Sequence, residues 1–167
     1  MHSENKRSYD RTVPTSNVAL DNISFIIRIA KNVNDIVCRV VVAGITDRQM
    51  KDFIRMNISI DASFIHSIEN SAIIHNQKQH GNRFVETSRG QIEVVSSDYY
   101  LIPDVLESYD TIEKSPHRNK QGKEVIIYSK AYQGFTIYYL EEVRNNRKSL
   151  ALLTMYKRKT ESEVPTG

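Results

Sequence analysis

Three of the five histidines in this 167-residue sequence, His66, His75 and His80, fall within fifteen residues, ahead of the run Glu86-Thr87-Ser88-Arg89-Gly90-Gln91. Imidazole has an unperturbed pKa of about 6.5 and gives or takes a proton near neutral pH, so the cluster is a candidate acid-base site. His66 follows Phe64-Ile65 and precedes Ile68, a setting that predicts a hydrogen-bonded core residue. His75 and His80 remain as the candidate pair. Five positions apart on a continuous helix, they stand about 140° from each other. They share a face only if the helix frays before Gly81. Metal binding is disfavoured, because the common helical ligand spacing is i, i+4 and neither a cysteine pair nor a third close ligand accompanies them. Neither a metal nor a cofactor is expected.

Further along, Lys130 interrupts an apolar segment and by period two shares a face with Ile126 and Tyr128. It reads either as an edge-strand guard against aggregation or as a phosphate-facing cation. Glu142 falls on the face of Thr136, Tyr138 and Leu140, and Arg144 ends that segment. In the last segment Leu150, Leu152, Thr154 and Tyr156 are expected on one face, opposite Ala151, Leu153 and Met155. Thr154 and Tyr156 serve there either as satisfied polar groups or as phosphate ligands. Two histidines with cations and hydroxyls suit cleavage of RNA through its own 2′-OH. That reaction needs a base, an acid and donors around the phosphate, and no metal. DNA lacks the nucleophile and would resist such a site.

The elements that must position these groups follow from patterning. Ile23–Ile29 and Ile36–Val42 are β-branched runs around the polar break Asn32-Val33-Asn34-Asp35 and predict a hairpin. Thr46-Asp47-Arg48-Gln49 predicts a capping box leading into an amphipathic helix through Met50, Phe53 and Ile54. A second helix is expected from Asn70 to His80 with Gly81 just past its end. Gln91–Val95 predicts a short strand, Ser97-Asp98 a cap, and Pro103–Tyr109 a helical turn opened by proline. Glu124–Tyr132, Phe135–Val143 and Ser149–Lys157, divided by Gln133-Gly134 and Arg144–Lys148, carry the signature of an antiparallel meander. The fold class is therefore α+β, with N-terminal strands and helices on one face of a C-terminal sheet.

One domain accommodates this length, and it needs no disulfide or metal staple. The single Cys38, in Ile36-Val37-Cys38-Arg39-Val40-Val41-Val42, reads as a half-buried small hydrophobe. No apolar run approaches the roughly twenty residues of a membrane span, and Met1–Ser16 lacks a signal-peptide centre, so no membrane contact and a cytoplasmic location are expected. Twenty-three Lys and Arg against twenty Asp and Glu leave a net charge of +3, compatible with nucleic-acid binding without requiring it. Residues 1–16 read as a flexible leader, 17–57 as a strand and helix extension of open role, 58–158 as the main domain and 159–167 as a tail. Repeats and low-complexity blocks are absent from the sequence.

The ordered set His66, Ile73-Ile74-His75, His80-Gly81-Asn82, Glu86, Arg89-Gly90-Gln91-Ile92, Asp98, Ile102-Pro103, Ile126-Ile127-Tyr128-Ser129-Lys130, Glu142-Val143-Arg144 and Leu152-Leu153-Thr154-Met155-Tyr156-Lys157 resembles the phage and polymorphic-toxin nucleases of the barnase, EndoU, colicin and RelE-like superfamily, over residues 58–158. The resemblance implies a metal-independent endoribonuclease with a helical half packed on an antiparallel sheet and the active site on the sheet face. It implies His75 and His80 as the histidine pair, Lys130 and Arg144 as cations, and Thr154 with Tyr156 on the last strand. Gly81 and Gly90-Gln91 would shape the neighbouring loop. RNA is the implied partner, with an immunity or inhibitor protein as a second, and a phage, mobile-element or toxin setting. Two other readings stay open. One is a non-catalytic nucleic-acid-binding module using Tyr138, Tyr139 and Tyr156 for stacking; the other is a phage structural or interaction protein.

Overall fold

In the computed structural model, which describes residues 11–33 and 35–160, the chain forms five helices and seven strands in the order α1 (Ser16–Asn32), β1 (Arg39–Gly44), α2 (Asp47–Arg55), β2 (Ile65–Glu69), α3 (Asn70–His80), α4 (Arg83–Ser88), β3 (Gln91–Ile92), α5 (Ile102–Ser108), β4 (Thr111–Lys114), β5 (Val125–Tyr132), β6 (Phe135–Arg144) and β7 (Ser149–Lys159). A 3-10 turn, Ser96–Leu101, leads into α5. Residues 1–10 of the expected leader and 161–167 of the expected tail lie outside the described residues, as does Asn34 of the expected turn.

The strands build one sheet in the order β1-β2-β7-β6-β5-β4, with β3 pairing the far end of β7. Pairing is antiparallel except between β2 and β7, which run parallel. The α+β class and the three-stranded meander β5-β6-β7 are as the sequence predicts. The N-terminal segment is more helical. Ile23–Ile29, expected as a strand, lies inside α1, because Ala19, Ile23, Ile26 and Ile27 fall on one helical stripe and are all buried. Thr15 caps this helix, its hydroxyl accepting from the Val18 amide at 3.5 Å. β1 therefore pairs with β2 instead of with a preceding strand. Segment 17–57 shares the core: Ile23, Ile26 and Phe53 cluster with Ile126, Tyr128, Ile137 and Tyr139.

The Thr46–Gln49 capping box is closed in both directions: the Gln49 amide donates to Thr46 Oγ1 at 3.1 Å and the Thr46 amide to Gln49 Oε1 at 3.0 Å. Of its expected apolar stripe only Phe53 is fully buried; Ile54 is exposed. Pro103 opens α5, whose Ile102, Val105 and Leu106 are buried. Helices α1, α2 and α5 join one alternating set of sheet side chains, Ile126, Tyr128, Ile137, Tyr139 and Val143, in a single core. The opposite face of the meander is flanked by α3 and the 115–124 loop and is open in part, with Thr136, Tyr138, Leu140 and Arg144 half-buried and Glu142 buried.

Candidate active site

The open face of the meander is defined by register. Thr136, Tyr138, Leu140, Glu142 and Arg144 alternate with the core-facing Ile137, Tyr139, Glu141 and Val143 of β6 and stand opposite Arg158, Tyr156, Thr154, Ala151 and Ser149 of β7; Glu142, Ala151 and Ser149 are buried beneath neighbouring segments. Between Leu140↔Thr154 and Glu141↔Leu152 the register slips, so Leu153 is bulged. This bulge inverts the expected parity of β7. Leu150 and Leu152 share the core face with Met155, while Thr154 and Tyr156 turn outward. One extra residue in a strand exchanges the faces of everything after it.

Helix α3 runs beside β7 and is fastened at the bulge. Asn76 Oδ1 accepts from the Met155 amide at 2.6 Å and from the Thr154 hydroxyl at 3.1 Å, and Asn76 Nδ2 donates to the Tyr99 hydroxyl at 2.9 Å. The helix runs unbroken to His80, so the two histidines do not share a helical face and meet different parts of the sheet. His75 is exposed and lines a cleft of about 720 Å³ together with Arg144, Thr154, Glu69, Glu142 and the 118–121 stretch. His80 is the last residue of α3 and needs no fraying to reach the sheet: its ring lies 5.8 Å from that of Tyr156. His80 Nδ1 meets Glu86 Oε2 at 3.1 Å, and Glu86 is wholly buried on α4, where Arg89 also reaches it at 3.3 Å. A carboxylate that accepts the Nδ1 proton leaves Nε2 as the acceptor. His66 behaves as expected of a core residue, fully buried, with Nδ1 2.7 Å from Glu141 and Nε2 3.0 Å from Gln49 Oε1.

Tyr156 stacks on Tyr138 at 4.9 Å and 11°, with the Arg158 guanidinium 5.4 Å from the Tyr156 ring centre and 5.5 Å from that of Tyr138. The Tyr156 hydroxyl has no hydrogen-bond partner among the described residues, whereas the Thr154 hydroxyl already donates to Asn76. Arg144 is held by two carboxylates, Glu69 and Glu142, the latter at 2.7 Å. Lys130 is elsewhere. It stands opposite Ile137 on the covered face, where it pairs with Asp104 at 2.8 Å and donates to the Ser108 hydroxyl. The open face thus carries two groups, His75 with Arg144 and Thr154 around one cleft and His80 with Glu86, Tyr156 and Arg158 farther along β7, and leaves Lys130 behind the sheet.

Burial pushes the Glu69 carboxyl up, but the hydrogen bond and charge of Arg144, joined by Arg39, outweigh it and hold Glu69 below the ordinary carboxylate value. Burial likewise works against the Arg144 charge, and the bonds to Glu69 and Glu142 overcome it, so Arg144 binds its proton more tightly than a free guanidinium. The Tyr156 phenol is raised by burial, against the lowering field of Arg158, and is a neutral donor at pH 7. No three His, Cys, Asp or Glu side chains among the described residues are grouped to hold a metal ion.

A carboxylate–histidine pair beside arginines and a free phenol on an open sheet face is equipment for proton transfer next to an anion. The sequence matches the family described as phage-Barnase-EndoU-ColicinE5/D-RelE like nuclease3 over residues 40–163. The chain belongs to this nuclease family. Its matched region takes in β1 and α2 as well as the meander. Membership supports a nuclease function and a nucleic-acid substrate. No curated protein and no solved structure matches the chain. No helix among the described residues is long and apolar enough to cross a membrane.

Sequence reasoning missed Glu86, Glu69, Arg158 and the 115–124 loop as parts of this face. Glu86 had a local signal, an acid in a short polar helix after Gly81-Asn82, with Arg89 one turn on. Glu69 and Arg144 had none, being 75 residues apart in sequence.

Proposed function

We propose that this nuclease is a metal-independent endoribonuclease that cleaves RNA by attack of the 2′-oxygen on the adjacent phosphorus. The P–O5′ bond breaks as the new P–O2′ bond forms, leaving a 2′,3′-cyclic phosphate and a free 5′-hydroxyl. His80 Nε2 takes the 2′-OH proton while Glu86 holds Nδ1; His75 protonates the departing 5′-oxygen. Tyr156 donates to a non-bridging oxygen, and Arg158 supplies positive charge around it, while Arg144 lies farther along the face to meet the strand beyond. The observation carrying this reading is the His80–Glu86 pair at 3.1 Å against Tyr156 on the uncovered face. The reading places the activity in the cytoplasm, where RNA is met, and calls for an immunity or inhibitor protein in any cell that makes the active chain.

A second reading is favoured by one observation: Arg144 is engaged by Glu69 and Glu142. On that basis the face binds nucleic acid through its tyrosines and turns nothing over. Incubating the protein with end-labelled RNA in EDTA separates the two. Fragments ending in 2′,3′-cyclic phosphate from the wild type, absent with His80→Ala and absent from DNA of the same sequence, support the ribonuclease. Binding without fragments supports the second reading.

A further inference from the structure

Beyond the histidines, the open face continues into a second cleft, between the 115–124 loop and the turn after β6, of about 670 Å³. Five basic side chains line it, Arg39, Arg118, Lys123, Arg144 and Arg147, against two acids, Glu69 and Glu124. That local excess equals the formal charge of the whole chain, +3. Both acids are already paired: Glu69 with Arg39 and Arg144, Glu124 with Lys114 and Arg118. Lys123 and Arg147, with Lys120 of the adjoining histidine cleft, have no side-chain partner among the described residues.

The loop that bears Lys120 and Lys123 is built, and Arg147 faces it from the turn after β6. Asn119 Oδ1 accepts the amides of Gln121 at 3.0 Å and Lys123 at 2.9 Å, and Asn119 Nδ2 donates to Glu142 Oε2 at 2.7 Å. Gly122 turns with φ +75°, and its carbonyl accepts from Arg118 at 2.9 Å. Such an arrangement fixes a solvent-exposed basic loop over the sheet at the ordering cost of several residues, and it does so without adding apolar core. The cleft shares Glu69, Arg118 and Arg144 with the one that holds His75 and Thr154, so a chain leaving the candidate site enters it directly.

We propose that this cleft is a backbone subsite: it holds phosphates of the RNA strand beyond the scissile bond, through Lys120, Lys123 and Arg147, and so selects extended strands over short ones. The proposal rests on the ribonuclease reading for which strand is cut. An acidic protein would meet the same charge, but continuity with the histidine cleft favours the strand itself.

The test is binding of a fluorescent single-stranded 2′-deoxy oligonucleotide, which cannot be cleaved through a 2′-OH, measured by anisotropy across a salt series. The Lys120→Ala/Lys123→Ala/Arg147→Ala variant is compared with Arg28→Ala/Lys31→Ala/Lys51→Ala, which removes the same charge from exposed positions of α1 and α2. Three lost phosphate contacts flatten the slope of log affinity against log salt by about 2, while the control stays near wild type. Equal slopes in both variants overturn the subsite and leave the cleft to an acidic protein. Because the probe is not cleaved, failure of the ribonuclease reading would leave this result intact. Conversely, RNA cleaved by a protein whose slope is unchanged by the triple substitution would remove the subsite alone. Circular dichroism melts of both variants separate lost contacts from lost folding.

Discussion

Asn76 Oδ1 accepts the amide of Met155 at 2.6 Å, tying the middle of α3 to β7 just past the bulged Leu153. The contact satisfies a backbone donor on the edge of β7 between its pairing with β2, which ends at Ala151, and with β3, which begins at Lys157, and fixes the position of α3 beside the sheet.

Asn76→Ala should therefore destabilise the protein by about 2 kcal/mol, since Met155 N–H would be left buried without a partner. A melt should show Tm lowered by roughly 5 °C. A change smaller than about 1 °C would mean that water takes over the bond.

His80→Ala should abolish RNA cleavage, and Glu86→Gln should lower kcat by about tenfold to a hundredfold with KM little changed, because Gln keeps the volume but loses the charged acceptor at Nδ1. Steady-state kinetics on a short RNA reads both. Full activity of Glu86→Gln would take the carboxylate out of the mechanism.

Lys130→Ala should leave cleavage intact and cost less than about 1 kcal/mol, because its partner Asp104 is half exposed and both lie on the covered side. Loss of cleavage with the fold retained would place Lys130 in the site after all.

Arg144→Met should destabilise by about 2–3 kcal/mol and move acid unfolding to higher pH. In the wild type Glu69 titrates below its ordinary value of 4.5, so its contribution is complete above that value and disappears as pH falls through the lowered one. Without Arg144 burial dominates and Glu69 takes up its proton earlier. The pH midpoints of unfolding, followed by circular dichroism, check the direction.

His66→Ala should cost about 3–5 kcal/mol, since Glu141 would remain in the core without its partner. Its defect should be in stability, visible in urea midpoints, with residual activity per folded molecule close to wild type.

Local patterns read correctly wherever one element decides its own form. The Thr46–Gln49 box, the Asn70–His80 helix stopped by Gly81, and the β5-β6-β7 meander depend on neighbours within a few residues, and so does the burial of His66 between apolar neighbours. Ile23–Ile29 is a case where local preference misled: β-branched residues favour strands, but the stripe from Ala19 to Ile27 buries against the sheet only as a helix. Which face of the meander faces water was set by α1, α2 and α5 covering the other one, and that decision left Lys130 behind the sheet and Arg158 in front of it. The Leu153 bulge then turned Thr154 and Tyr156 outward. Sequence alone determined most of the elements from Thr46 onward, the histidine cluster and the resemblance to a nuclease; the turn at Gly81-Asn82 that folds Glu86 back onto His80 and the sheet order that joins Glu69 to Arg144 across 75 residues were decided by tertiary packing, because each depends on how elements dock and not on the pattern within one of them.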